Sequence, residues 1–241
     1  MHLVDHLFIF LLFVVQPIHG AISFRRYIAR IEAGEAADRA RLFREVLVLE
    51  WVSLAVLATA WYLLGRPAAD LGFVPAGGNG FWIGVAIVAA LTVFLIVSWR
   101  MSLTMSPEEK QKQKESFGNL VHFLPQSDRD LRQFIAVSIT AGIVEEIIYR
   151  GFVFWYLAPL MPIWAVIAVS SVAFGLGHSY QGVGGMIRVT IIGLAFGALY
   201  VLTGSIWLPI LAHAILDALQ GFSLVEVLRP VERSEPEPAT Q

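Results

Sequence analysis

The sequence contains no cysteine and little charge. The absence of Cys from its 241 residues excludes disulfides, cysteine-ligated zinc and thiol nucleophiles. Charged residues make up 15% of the chain and hydrophobic residues 57%, whereas soluble domains are usually about 25% charged and about 45–50% apolar. The composition therefore predicts an all-α membrane protein that crosses the bilayer several times.

Several motifs of other protein classes are also missing. There is no block of basic residues and no glycine-rich phosphate loop, so nothing in the sequence indicates nucleic-acid or nucleotide binding. The serine-protease pattern G-x-S-G and the zinc-protease pattern H-E-x-x-H are absent. An aspartyl intramembrane protease is disfavoured as well, because Asp217 is the only aspartate deep within a predicted span.

Seven apolar segments of membrane-spanning length follow one another along the chain. They are Leu3 to Phe24, Val46 to Leu64, Phe81 to Trp99, Phe134 to Ala158, Pro162 to His178, Met186 to Leu202 and Ile206 to Leu224. The first is interpreted as an uncleaved span rather than a signal peptide, since six arginines follow it directly in the next loop. The sequence Ser106-Pro107-Glu108-Glu109 predicts the start of a short surface helix.

The Lys and Arg residues are distributed very unevenly around these spans. Of the 17, 15 lie on one side, among them Arg188 near the inner end of the sixth span, while Arg66 lies on the other side and Arg150 lies deep inside a span. The positive-inside rule then predicts a multi-pass plasma (bacterial inner) membrane protein with its N-terminus outside and its C-terminus cytoplasmic. We divide the chain into three N-terminal spans with their loops (1–133), a catalytic four-helix core (134–224) and a disordered cytoplasmic tail (225–241).

Two adjacent glutamates and an arginine interrupt the fourth span. Its flanks carry no charge, and ionisable residues within hydrocarbon indicate a functional site by default. Helix geometry places Glu146 and Arg150 on one face, so we expect them to pair. Glu145 then points elsewhere, over Ala141 and Gly142, whose small size would leave room for water or substrate. We therefore assign the chemistry to Glu145 and an anchoring role to Glu146.

Later spans contribute two histidines and an aspartate. His178 ends the fifth span, while His213 and Asp217 lie one helical turn apart in the seventh. These three residues and Glu145 fall about 12–24 Å from the outer ends of their spans, at about 1.5 Å per residue. We expect them to converge between the fourth, fifth and seventh spans, although either histidine alone could equally bond a neighbouring backbone carbonyl. Glu50, near the inner end of the second span, is assigned to the membrane interface.

Three motifs in this order resemble those of the CPBP family of intramembrane proteases. That family includes CAAX prenyl endopeptidases and bacteriocin-processing or immunity proteins, and is marked by E-E-x-x-x-R, F-x-x-x-H and H-x-x-x-N/D. The motifs here are Glu145-Glu146-x-x-x-Arg150, Phe174-x-x-x-His178 and His213-x-x-x-Asp217. The resemblance covers about Leu124 to Leu219 and departs from many relatives in having Asp217 in place of Asn.

The resemblance implies an endopeptidase that acts on a membrane-associated protein or peptide. Glu145 and His178 would activate water, and His213 with Asp217 would stabilise the oxyanion of the tetrahedral intermediate. Phe174 would bind substrate. We favour this metal-free mechanism without a cofactor, and a zinc ion held by Glu145, His178 and His213 is its alternative. A non-catalytic immunity or scaffold protein and a proton-coupled transporter are the alternative functions.

Overall fold

The computed structural model describes residues 1–75 and 77–229, and this part of the chain is helical without strands. The helices are α1 (Leu3–Glu32), α2 (Arg39–Leu63), α3 (Gly78–Leu103), α4 (Pro107–Ser116), α5 (Asp128–Glu146), α6 (Ile163–Gly177), α7 (Gly182–Thr203) and α8 (Trp207–Leu228). A π-helical segment, Leu11–Val15, lies within α1, and a second, Ile147–Val153, continues α5 into a last turn, Phe154–Leu157. Residues 225–228, predicted to begin the disordered tail, belong instead to α8, and 230–241 lie outside the described residues.

Five helices of the described chain are long and apolar enough to cross a membrane. They are α1, α2, α3, α7 with its preceding 3₁₀ turn (Ser179–Thr203), and α8. Helix α6 has 15 residues, and α5 with its continuation carries the two glutamates and the arginine. Each of the seven predicted spans coincides with one of these helices. The all-α, polytopic class is confirmed, and the number of seven spans stays a prediction.

Side-chain caps define where helices α4 and α5 begin. The Ser106 hydroxyl accepts a hydrogen bond from the Glu109 amide (3.2 Å), and the Glu109 carboxylate accepts one from the Ser106 amide (2.7 Å). This is the capping box expected for the surface helix α4, and the bond from the Ser106 amide lowers the pKa of Glu109. Ser127 caps α5 by accepting from the Asp130 amide at 3.1 Å. Helix α5 therefore begins at a defined residue before it enters the apolar core.

Small residues bring the motif-bearing helices close together. A Cβ on Gly142 of α5 would lie 2.8 Å from the backbone nitrogen of Ala214 and 3.0 Å from the carbonyl oxygen of Ile210, both on α8. A Cβ on Gly193 of α7 would lie 3.1 Å from the Cβ of Ser171 on α6. One expectation is corrected here: the space beside Gly142 is filled by the backbone of α8, and is not left open for water or substrate.

A buried ion pair ties the N-terminal helix to the rest of the molecule. Both carboxylate oxygens of Asp5 on α1 accept hydrogen bonds from Arg66, which follows α2, each at 2.7 Å. The Arg66 guanidinium lies 5.0 Å from the ring centroid of Trp61 and 4.5 Å from that of Trp155. A bidentate pair between aromatic rings is a favourable setting for a partly buried arginine. Helix α1 is thereby fixed beside the core.

Candidate active site

The ionisable side chains of α5 and α8 gather around one histidine. Nδ1–H of His213 donates to Oε1 of Glu146 at 2.8 Å. The other ring nitrogen, Nε2, lies 3.8 Å from Oε2 of Glu145 and 3.5 Å from Oδ2 of Asp217. His213 is therefore bordered by three carboxylates. The two adjacent glutamates, which helix geometry had placed on different faces, both reach it because the imidazole spans the gap between them.

Glu146 and Arg150 form the ion pair that their spacing predicts. Nη1 of Arg150 donates to Oε1 of Glu146 at 2.8 Å, and the two side chains are 1% and 0% exposed. Nη2 of Arg150 donates to the carbonyl oxygen of Gly193 on α7 at 2.9 Å. The guanidinium also lies 4.8 Å from the ring centroid of Phe174 and 5.6 Å from that of Phe196. The buried charge is thus compensated by a carboxylate, a carbonyl and two aromatic rings.

Glu145 differs from Glu146 in what its carboxylate can still do. The side chain of Glu145 is 13% exposed and that of Glu146 is 0% exposed. Among the described residues, Oε2 of Glu145 has no hydrogen-bond partner. Oε2 of Glu146 lacks one too, but its other oxygen already accepts from Arg150 and His213. The contacts of Glu146 suit an anchor and those of Glu145 suit a proton acceptor, and both roles stay predictions.

His178 contacts the other motif residues only through Phe174. It follows α6, and its Nδ1–H donates to the backbone carbonyl of Phe174 at 2.9 Å, which leaves Nε2 as the nitrogen with a free lone pair. None of the ion pairs of the described residues involves His178. The Phe174 ring centroid lies 4.9 Å from that of His178 and 5.9 Å from that of His213. The expected convergence is therefore partial, since His178 is joined to the site through Phe174.

Phe174 forms the packing centre of the site. Its ring is 2% exposed and meets the Tyr149 ring edge to face, with centroids 5.0 Å apart. Together with its contacts to both histidines and to the arginine, this position makes Phe174 a spacer that fixes the separation of the motif side chains. Its predicted role in binding substrate stays a prediction.

Glu50 is the site residue that sequence reasoning misplaced. Helix α2 packs against α5, and the carboxyl group of Glu50 lies within hydrogen-bonding distance of that of Glu145. Assignment to the interface rested on depth along one helix, which does not say which neighbouring helix a side chain faces. A usable signal was present: Glu50 is the only acid between Val46 and Leu64, and an acid within a span is a functional candidate by default.

The zinc alternative requires Glu145, His178 and His213 to gather around one ion. No group of three or more His, Asp or Glu side chains in the described part of the chain is arranged to hold a metal. His178 makes no ion pair with either of the two other residues, and its Nδ1 is bonded to the Phe174 carbonyl. The metal-free mechanism stays a prediction, and a chelation experiment for it is given below.

Comparison with known proteins identifies the segment that carries the site. Residues 128–219, which contain all three motifs, match the family model of type II CAAX prenyl endopeptidases, Rce1-like. A curated protein of Bacillus subtilis (strain 168), named "Putative membrane peptidase YdiL", is 26% identical over 166 residues. This alignment covers 66% of the chain and 64% of that relative, just under two thirds of its length. No solved structure is significantly similar. The three motifs and both matches support a similarity of residues 128–219 to proteases of the CPBP family.

Proposed function

We propose that this chain is an intramembrane endopeptidase that hydrolyses a peptide bond of a membrane-associated protein or peptide. The match of residues 128–219 to a protease family model supports the reaction class, and the several apolar helices support a substrate within or beside the bilayer. The observation that carries the proposal is the pairing of Glu145 with His213. A partly exposed carboxylate with an unpartnered oxygen lies 3.8 Å from an imidazole nitrogen whose ring is oriented by the buried Glu146.

In the proposed reaction Glu145 is the general base. Its carboxylate takes a proton from water while the water oxygen attacks the carbonyl carbon of the substrate. The carbonyl oxygen becomes an oxyanion, which His213 stabilises by donating from Nε2 in its protonated form, with Asp217 as a neighbouring carboxylate. When the carbon–nitrogen bond breaks, Glu145 passes its proton to the leaving amine. The carboxylate is thereby restored, and the products are a carboxylic acid and an amine.

The other motif residues hold this arrangement in place. Glu146 orients the imidazole of His213 through Nδ1, and Arg150 neutralises Glu146. His178 has Nε2 free, because Nδ1 is bonded to the Phe174 carbonyl, and we assign to it the second contact to the attacking water. The reaction needs no metal in this scheme, and water is the only co-reactant.

The test uses the purified full-length protein in proteoliposomes with fluorogenic membrane peptides. Glu145→Gln preserves the size of the side chain and removes the base, so we expect cleavage to fall by about 10²–10⁴-fold. The matched control is Glu45→Gln, an exposed acid of α2 that pairs with Arg41, which should cleave like the wild type. Wild-type rates in Glu145→Gln would overturn the mechanism. Proton transport without cleavage in the wild type would overturn the protease in favour of a transporter.

A further inference from the structure

A third carboxyl group belongs to the site and comes from a part of the chain outside the family match. Glu50 lies on α2, whereas the matched segment is 128–219. Helix α2 packs along α5, which brings the carboxyl group of Glu50 to hydrogen-bonding distance from that of Glu145. Glu50 is partly buried and lies in an apolar helix segment. Neither the three motifs nor the proposed reaction gives this residue a role.

Two carboxyl groups can share a hydrogen bond only if one of them carries a proton, because an ionised carboxylate has acceptors and no donor. Two adjacent negative charges also repel strongly where little water screens them. The titratable groups near enough to interact electrostatically with Glu50 are Glu145 on α5, His213 on α8, and the hydroxyls of Tyr149 and Tyr180. His213 is the only cationic candidate among them, and its Nδ1 is bonded to another glutamate.

We infer that Glu50 is a positioning residue for Glu145: the Glu50 carboxyl group donates its proton in a hydrogen bond to the Glu145 carboxylate and aims it at the attacking water. The inference rests on the proposed function and deepens it. The pair begins with one proton, gains a second from water as the oxygen attacks the carbonyl carbon, and returns that second proton to the leaving amine. Each turnover therefore ends with the starting pair, and no further reactant is needed.

Two substitutions separate this role from simple packing. In Glu50→Gln the amide still donates to Glu145 but cannot lose a proton, so we expect at least about a tenth of wild-type kcat/KM. Its rate should also persist at alkaline pH, where the wild-type pair loses the shared proton and slows. In Glu50→Leu no donor remains, and kcat should fall by about 10²-fold with KM nearly unchanged. The control Glu45→Gln should reproduce both the rate and the pH profile of the wild type.

Infrared spectroscopy gives a readout that does not depend on activity. The wild type at neutral pH should show the carbonyl band of a protonated carboxyl group in an apolar setting, and Glu50→Gln should lose this band. The inference is overturned if Glu50→Gln keeps the band, or if folded Glu50→Leu has the wild-type rate and pH profile. Those results would leave the proposed function intact as long as Glu145→Gln is inactive. An active Glu145→Gln would instead overturn the proposed function itself.

Discussion

At the scale of residues, one carboxylate oxygen joins two helices. Oε1 of Glu146 accepts both from Nη1 of Arg150 and from Nδ1 of His213, each at 2.8 Å. The arginine belongs to the continuation of α5 and the histidine to α8, so this oxygen fixes the orientation of the imidazole relative to Glu145. Removing the cation would leave the fully buried carboxylate of Glu146 charged and without its guanidinium partner.

We therefore expect Arg150→Ala to reduce the free energy of unfolding strongly, by about 3–5 kcal/mol for a broken buried pair. The substitution also removes the donor to the Gly193 carbonyl. Thermal unfolding in detergent measures the effect, with Glu145→Gln as the comparison. The latter is isosteric and partly exposed, so its unfolding temperature should stay close to that of the wild type. A larger loss in Glu145→Gln than in Arg150→Ala would show that the anchoring and chemical roles are exchanged.

The residue pairs that could be predicted are those on one helix. The spacing of four residues gives the contacts of Glu146 with Arg150 and of His213 with Asp217, because periodicity fixes which side chains share a face. The contacts of Glu146 with His213 and of Glu145 with Glu50 join different helices. They depend on how each helix is rotated about its axis, and a single sequence with its span boundaries leaves that rotation undetermined.

At the scale of elements, the site lies directly beside a departure from α-helical geometry. The π-helical segment Ile147–Val153 directly follows Glu146, and all seven of its residues are buried. Such segments are rare and often accompany functional sites. No residue in the segment marks it in advance, since a mostly apolar run with one arginine and one glycine also suits an α-helix. The sequence therefore predicts one continuous helix, and the change in its winding is established only by the structure.

The close approach of α5 and α8 gives a prediction at this scale. In Gly142→Ala the new methyl group would lie 2.8 Å from the backbone nitrogen of Ala214, so the helices must separate. We expect a loss of about 1–3 kcal/mol in unfolding free energy, as for other overpacked sites, and slower cleavage because Glu146 and His213 move apart. Thermal unfolding and the peptide assay measure both effects.

The control for that substitution is Gly184→Ala. Gly184 lies on α7, where an added Cβ has nothing within 4 Å, and alanine is the better helix former. This variant should be at least as stable as the wild type and equally active. If Gly142→Ala were as stable and active as Gly184→Ala, the packing of α5 on α8 would not determine the geometry of the site.

At the scale of the whole molecule, the N-terminal helices take part in the site although the family match begins at residue 128. Helix α2 supplies Glu50, and α1 is held to the chain after α2 by the pair of Asp5 and Arg66. The sequence shows the apolar character of these helices, but not that they enclose the motif residues. Hydropathy predicts that these segments are membrane-spanning helices, but it does not predict that one of them contributes a residue to the site.

The orientation in the membrane is a further prediction at this scale. Of the 17 Lys and Arg residues, 15 lie on the side assigned to the cytoplasm, and such an asymmetry sets topology. A reporter inserted after Glu115 should therefore be cytoplasmic, and one inserted after Gly78 should be external. Cysteine labelling provides an independent readout, because the natural chain has no cysteine. The opposite location at both positions would reverse the orientation.

The central claim is that Glu145 activates water without a metal ion. The most direct test measures the cleavage rate of the exhaustively chelated wild-type protein, together with the metal content of the same sample. The predicted result is an unchanged rate, far less than one metal ion per chain, and an inactive Glu145→Gln. His213→Ala should then keep weak cleavage, since losing one oxyanion donor costs about 10²–10³-fold. Chelation that abolishes the activity, recovery with zinc, and stoichiometric zinc that disappears in His213→Ala would contradict the mechanism.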